Sequence, residues 1–575
     1  MQPNVETTAV SDARRNYLRP HEIFVLVLTS ILFFWPALHA GFVFDDWILL
    51  LEQPMIHATD GLRRIWCTAE GPDYYPVTWT VCWLQYRFWG AWPMGYHLVN
   101  FALHALNVVV LAYALKRLEI PGAFFAALVF AVHPVNVATV AWISEQKNIL
   151  AMLFFLLTGL AYLRFEHKGR WRWYAVSLGC FLVSLLAKPA AAMWPILLLG
   201  LAWWIRGKVT LRDVWRSTPF LSLSIITGML AIWFQGVRVL GGQPARTDGF
   251  FSRLACASWA VWFYLYKALL PMRLCVIYPR WEIDPFNPVV YLPLALLVMI
   301  VAYFWHYRRT WGRQVLAGAG YFVVMLFPVL GFFDQGFYRY SFVADQWQYL
   351  PIIGVIALVV GGATHLLATE RLGFSRKTAW IAGAIVVVFL GILSWNQTRL
   401  YVDDETLWRD TVAKNPTAWL AQYNLGIALA NRGQLDGAIA AYNEALRYKP
   451  DDIETLNNLG GAYGMKGDLD RARVQFMKVL ALNPGNSSGH ANLGMVWFNQ
   501  GHLAQAVDQF QTALRIEPQP IPIRLTLGIA LGRMNRIAES KAVFEDVLRL
   551  DPSNQFATLA LSQLPRQTAV PPRSK

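Results

Sequence analysis

The sequence predicts an all-α chain in two parts, a polytopic membrane helix bundle over the first 400 residues and a helical solenoid over the remainder. Three observations carry this. Apolar runs of about 18 residues or more, the length a helix needs to cross a bilayer, recur through the first part. A 34-residue period takes over after residue 416. The charge is also uneven: residues 1–400 hold 32 Lys+Arg against 19 Asp+Glu, and residues 401–575 hold 18 against 17. The 575 residues are 56% hydrophobic and 15% charged, where a soluble protein carries about 25% charged residues. That composition excludes a disordered chain, a fibre and a single soluble globule. A net charge of +14 would suit a nucleic-acid binder if it were spread evenly. Here the excess lies in the apolar part, where cations mark cytoplasmic loops.

The first 21 residues read as a cytoplasmic tail carrying Arg14, Arg15 and Arg19. The apolar segment 22–40 that follows is too long for a removed signal peptide and lacks a small-residue cleavage site. Further segments lie at 97–115, 120–133, 148–165, 173–187, 189–205, 217–235, 253–275, 288–307, 314–333, 347–368 and 378–396. With the N-terminus inside, Lys116/Arg117, Arg164/Lys168/Arg170/Arg172 and Arg206/Lys208/Arg212/Arg216 all fall inside. If 253–275 also crosses, Arg308, Arg309, Arg313, Arg371, Arg376 and Lys377 end up outside; if it lies at the interface or re-enters, all six fall inside. The Trp and Tyr of this segment, with Lys267, Pro271 and Arg273, favour the second arrangement. The expectation is a membrane domain over 22–400 with about 11 crossings, an outer loop at 41–96, and the C-terminal part outside. About 19 of the 32 cations then lie inside.

In the second part Pro416, Pro450, Pro484, Pro518 and Pro552 stand 34 residues apart. Leu-Gly recurs at 425–426, 459–460, 493–494 and 527–528. Ala438, Ala472, Ala506 and Ser540 keep the same step, as do Tyr442, Phe476, Phe510 and Phe544. This is the tetratricopeptide pattern of paired helices. The glycine and small residue allow close helix crossing, the aromatic is expected to fill the gap to the next repeat, and the proline stops the second helix. The domain is drawn over 401–562, with a half repeat at 403–416, full repeats ending at Pro450, Pro484, Pro518 and Pro552, and a flexible tail at 563–575. Such solenoids present a concave face to a peptide or protein; a packing scaffold without a specific ligand is the alternative.

Five polar clusters fall on the outer side under this topology. Asp45-Asp46 follows the first span, where the pair reads either as a helix cap or as a general base or cation site. Adjacent carboxylates face different ways, so one would act and the other orient. His133, Glu145, Lys147 and Asn148 lie in the next outer turn, with a plain Glu145–Lys147 ion pair as the alternative. Lys188 sits at a hairpin tip, where snorkelling alone would explain it. The stretch 262–284 mixes Lys267, Arg273, Tyr278 and Arg280 with tryptophans, which suits a lipid phosphate or anionic headgroups in general. Arg339, Asp345 and Gln346 complete the set. An acid plus phosphate-binding cations at a lipid interface fits transfer of a group from a lipid-linked phosphate. The sequence has no P-loop, no dinucleotide fingerprint and no zinc spacing. Of the five cysteines only Cys67 and Cys82 share an outer loop, and a disulfide between them is one reading.

These motifs resemble a known family. Asp45-Asp46, YHLVNFALHALN at 96–107, HPVNVATVAWISEQKN at 133–148, LLAKPAAA at 185–192, WFYLYKALLP at 262–271, YPRWEIDP at 278–285 and VADQWQYL at 343–350 resemble bacterial membrane proteins that join a GT-C glycosyltransferase fold to tetratricopeptide repeats. These are similar to the eukaryotic transmembrane-and-tetratricopeptide O-mannosyltransferases. The resemblance implies an inverting glycosyltransferase of the bacterial inner membrane. Its donor would be a sugar on a polyprenyl phosphate, and its acceptor an extracytoplasmic protein hydroxyl presented by the repeats. It implies a catalytic acid at Asp45 or Asp46 and phosphate-binding cations at Arg280, then Lys188, Lys267 and Arg339. His133, Glu145, Lys147, Tyr278, Asp345 and Gln346 would line the site. No cofactor is singled out, and the two aspartates admit a divalent metal. Two positions depart from the family: Val137-Ala138-Thr139, where relatives often read VES, and Gln346, where they often have Arg or His. The competing reading is a non-catalytic membrane scaffold whose repeats recruit protein partners. A transporter ranks last, because the charges crowd at helix ends rather than at mid-membrane.

Overall fold

The computed structural model describes residues 18–368, 375–518 and 520–564. The expected basic residues Arg14, Arg15 and Arg371, the side chain of Arg376, and nearly all of the 563–575 tail lie outside the described residues. Among the described residues the chain is helical, with no strand. It divides into two compact units, Met1–Asn415 and Pro416–Lys575.

In the first unit seven helices are long and apolar enough to cross a membrane: Pro93–Arg117, Ile143–Lys168, Pro189–Arg206, Leu211–Val239, Pro288–His306, Gly312–Val329 and Lys377–Tyr401. The segment expected at 120–133 is a pair, Ala123–Ala131 and Pro134–Ala141, bent by 49°. The break is at His133-Pro134, where proline removes a donor and cannot continue the first helix. Three shorter apolar helices, Pro20–Leu32, Trp171–Ala187 and Ile352–Leu367, match three more expected segments. The helix Phe250–Leu269, at the position of the ambiguous segment, is in neither group. It buries one face through Ala255, Ala257, Ala260, Val261, Tyr264 and Ala268 and leaves Trp259, Tyr266 and Leu269 exposed on the other.

The second unit holds four helix pairs, from Trp419–Asn431 with Leu435–Tyr448 to Ile521–Arg533 with Ile537–Leu550, then a last helix Gln555–Gln563. The glycines of the four Leu-Gly pairs are obligatory. A Cβ at Gly426, Gly460, Gly494 or Gly528 would lie 2.4–2.8 Å from the ring of Tyr442, Phe476, Phe510 or Phe544 respectively. The aromatic position therefore fills space within its own repeat and also reaches the next one: Phe510 shares a buried cluster with Leu527, Ala530 and Leu531, and the Phe544 ring lies 6.4 Å from that of Phe556 on the following helix. Between the two helices of each repeat the chain turns through a left-handed residue, Gly433, Gly467, Gly501 and then Asn535, again 34 apart. Asn tolerates that region better than other residues with a Cβ. The helix Asp404–Lys414, expected as a half repeat, belongs to the first unit by its contacts.

Candidate active site

After the helix Pro20–Leu32 and a short turn at Trp35–His39, the chain reaches Phe44 in the left-handed region, at φ +53°. A bulky residue rarely occupies it, and such a conformation costs on the order of 1–3 kcal/mol. Two carboxylates, Asp45 and Asp46, follow directly. Asp46 is fully buried. Its Oδ1 accepts from the Ser144 amide at 2.7 Å and from the Ser144 hydroxyl, and its Oδ2 accepts from the Val43 amide at 3.1 Å. Asp45 is partly accessible, and its Oδ1 is buried without a hydrogen-bond partner. Burial pushes the Asp46 carboxyl up to about 8, and the adjacent Asp45 charge adds to this. Burial also raises Asp45, to about 6; the Lys147 ammonium opposes that rise while Glu145 reinforces it. Both carboxyls are pushed up by burial, Asp46 further than Asp45, so Asp45 is the readier of the two to ionise.

Glu145 lies in the same pocket between two ammonium groups, Lys147 at 3.1 Å and Lys188 at 3.6 Å, all three largely buried. Asn148 donates to Glu145 Oε2 and also, at 3.2 Å, to the Gln346 carbonyl. The threonine of the neighbouring helix, Thr78, donates to the Ala187 carbonyl at 2.9 Å and fixes the Lys188 hairpin. Asp73 joins the cluster. Burial raises its pKa, while Gln235, Lys147 and Lys188 work the other way. Gln235 donates to Asp73 at 2.6 Å and accepts from the Gly336 amide at 3.0 Å. It thereby ties this acid to the turn Gly336–Arg339.

That turn carries the first of two exposed guanidinium groups. Arg339 donates to the Leu240 carbonyl at 3.1 Å. Arg280 reaches the Arg339 carbonyl at 3.5 Å and lies 4.8 Å over the Phe342 ring. Among the described residues neither has a carboxylate partner. The nearby Arg246, by contrast, is neutralised by two bonds to Asp248, at 2.8 and 2.5 Å. Burial and the Arg246 charge lower the Arg280 pKa, which is a sign of an uncompensated cation. A guanidinium stays charged under such a shift.

The other expected residues are engaged structurally. Lys267 donates to the Met272 and Arg273 carbonyls, at 2.6 and 3.2 Å, and so closes its own loop. His133 Nε2 is 3.0 Å from the Ala268 carbonyl, and its Nδ1 accepts from the Val135 amide at 3.3 Å. A carbonyl only accepts, so Nε2 carries the proton and both nitrogens are occupied. Tyr278 donates to Asp345 at 2.8 Å, and burial pushes Asp345 up to about 7. Gln346 is buried. Cys67 and Cys82 are free thiols.

The structure thus gathers Asp45, Asp46, Glu145, Lys147 and Lys188 into one charged pocket and sets Arg280 beside Arg339. His133 and Lys267 bond backbone carbonyls outside it. Four participants were not singled out in the sequence: Asp73, Ser144, Gln235 and Asp404, which accepts from the Phe44 amide. Among the described residues no group of three or more His, Cys, Asp or Glu is arranged to hold a metal. The oxygens of Asp46 face three donors, two on Oδ1 and one on Oδ2. A cavity of about 1190 Å³ in the first unit is largely apolar and lined by none of these charged residues.

Models of the tetratricopeptide repeat match residues 426–467, 453–483, 487–520 and 521–554. The human protein O-mannosyl-transferase TMTC3 is 23% identical over 487 residues, covering 75% of this chain and 52% of that protein. A Caenorhabditis elegans protein O-mannosyl-transferase is 23% identical over 459 residues, covering 74% of this chain and 63% of that protein. The chain is thus similar to protein O-mannosyl-transferases over about three quarters of its length. It spans between about half and two thirds of the length of these curated relatives. The crystal structure of MamA aligns with 26% of this chain at 19% identity and a TM-score of 0.25.

Proposed function

We propose that this protein is a membrane glycosyltransferase that moves a sugar from a polyprenyl-phosphate donor to a hydroxyl of an extracytoplasmic protein. The names of its relatives point to a mannosyl group. The observation that carries the reading is the buried oxygen of Asp45 that no donor fills, in a pocket that also holds Lys147 and Lys188.

In this mechanism Asp45 takes the proton of the acceptor hydroxyl. The acceptor oxygen forms a bond to the anomeric carbon from the side opposite the phosphate, and the bond from that carbon to the phosphate oxygen breaks with its electron pair. The configuration inverts, and polyprenyl phosphate leaves as the anion. Arg280 and Arg339 are free to take phosphate oxygens through charge-assisted bonds. Lys188 and Lys147, held by Glu145, add positive potential in the pocket. Asp46 keeps the turn in place through Ser144 and Val43. We place the protein in a bacterial inner membrane with its N-terminus inside, and the repeats outside to present the acceptor.

The test is a transfer assay with purified protein, polyprenyl-phosphate mannose and a serine- and threonine-containing peptide. Asp45→Asn should lower transfer at least about a hundredfold with the protein still folded. Transfer at the wild-type rate would remove Asp45 from the reaction. A wild type that transfers nothing, but retains a bound protein through its repeats, would favour the scaffold reading.

A further inference from the structure

The helix Asp404–Lys414 reaches back 360 positions to the acidic turn. Its Asp404 Oδ1 accepts from the Phe44 amide at 2.8 Å, and its Oδ2 accepts from the Trp47 indole at 3.2 Å. The two bonds straddle Asp45 and Asp46. Just upstream, the Gly41 amide donates to the Val402 carbonyl at 2.9 Å. The Phe44 ring packs edge-on against Trp408 of the same helix, with ring centroids 5.0 Å apart. Phe44 is the residue in the left-handed region. Among the described residues its amide donates to Asp404 alone, so the strained turn is held from a distance.

A negative charge in the first turn of a helix has a bland use, stabilising the helix dipole. That use does not explain this geometry. Asp403 already caps the helix, accepting from the Thr406 amide at 2.8 Å, while both oxygens of Asp404 turn outward to residues 44 and 47. The other end of the helix grips the phosphate side of the site. Lys414 donates to the Leu274 carbonyl at 2.8 Å, and Asn415 to the Ile277 carbonyl at 3.1 Å. This is the stretch leading to Tyr278 and Arg280.

We propose that Asp404 is a positioning residue for Asp45, holding Phe44 in the left-handed conformation that aims the Asp45 carboxylate into the charged pocket. The proposal rests on the transferase reading and adds a determinant to it. The helix between the last apolar span and the repeats then sets the geometry of the base. Asp404 itself exchanges no proton with substrate, so its loss acts on turnover more than on donor affinity.

The experiment compares full-length wild type, Asp404→Ala, Phe44→Gly and the Asp404→Ala/Phe44→Gly double variant, with Asp403→Ala as a control for helix capping. Asp404→Ala should lower kcat at least about tenfold and leave KM for polyprenyl-phosphate mannose within about twofold. Glycine adopts positive φ at no steric cost, so the double variant should turn over faster than Asp404→Ala alone. Asp403→Ala should keep kcat within about threefold of wild type. Amide hydrogen exchange adds a readout independent of transfer: the Phe44 amide should be protected in wild type and exposed in Asp404→Ala. A double variant no faster than the single one, or a Phe44 amide equally protected in both, overturns the proposal. If Asp404→Ala does not fold, Asp404→Asn decides: its amide oxygen still accepts from Phe44, so it should fall between wild type and Asp45→Asn, and wild-type turnover with an unprotected Phe44 amide overturns the idea. A wild type without transfer, but with Phe44 protected through Asp404, would sink the transferase reading and leave the clamp standing.

Discussion

Asp45 and Asp46 are the same side chain one residue apart, and their surroundings give them opposite jobs. Asp46 is enclosed by Ser144 and Val43 and pushed up to about 8, whereas Asp45 has an unfilled oxygen and is raised only to about 6. Two outcomes follow at this scale. A base must be ionised to act, so kcat/KM should rise with pH through about 6 and level off above it, and the Asp45→Asn variant should show no such limb; a pH–rate profile checks this. The second outcome concerns stability. The folded-state pKa of Asp46, about 8, lies above its ordinary 3.8. Folding therefore takes up a proton between these values, and stability is lost as pH rises from about 4 to about 8. Asp46→Asn removes that titration. Its melting temperature in detergent should change less between pH 5 and pH 8.5 than that of wild type, and equal changes would show that Asp46 does not hold the raised pKa.

At the scale of elements, the repeats were legible because one 34-residue rule is written four times, in Leu-Gly, small residue, aromatic and proline. The rule placed the aromatic against the next repeat, where Phe510 and Phe544 pack; it did not show that the same ring meets the glycine of its own repeat, which depends on how closely the two helices cross. Two adjacent glycines in one helix make the point testable. A Cβ on Gly460 would lie 2.6 Å from the Phe476 ring, and one on Gly461 would meet nothing within 4 Å. Gly460→Ala should destabilise the repeats by about 1–3 kcal/mol through overpacking. Gly461→Ala should stabilise them by about 0.5–1 kcal/mol, because glycine is costly inside a helix. Chemical denaturation followed by circular dichroism would separate the two. The candidate site was half legible for a related reason. Asp45, Glu145, Lys147 and Lys188 are polar residues at apolar helix ends, a signal that sequence carries. Asp73, Gln235 and Asp404 act through partners 162, 101 and 360 positions away, which no local pattern encodes. His133 and Lys267 looked like chemistry for the same reason, since the carbonyls that occupy them are a product of the fold.

At the scale of the whole molecule, the side on which the repeats emerge turns on the helix Phe250–Leu269. Its sequence is apolar enough to suggest a span, yet the folded helix buries one face against the bundle and exposes Trp259, Tyr266 and Leu269 on the other. Tryptophan and tyrosine favour the membrane–water boundary. A helix of this kind lies at an interface more readily than it crosses the hydrocarbon layer. Seven helices are long and apolar enough to cross, or eight with the bent pair counted as one; if the three shorter apolar helices cross as well, as we propose, the count is eleven, an odd number that would put the two ends of the membrane unit on opposite sides. The cations agree with this count, since Arg308, Arg309, Arg313 and Lys377 come to lie inside with the other basic clusters. Reporter fusions after residues 312 and 400 should accordingly read cytoplasmic and extracytoplasmic. Both reporters reading the opposite way would mean that Phe250–Leu269 crosses. The repeats would then face the cytoplasm, separated by the bilayer from an acceptor on the side of Asp45, and an acceptor presented by the repeats would no longer be tenable.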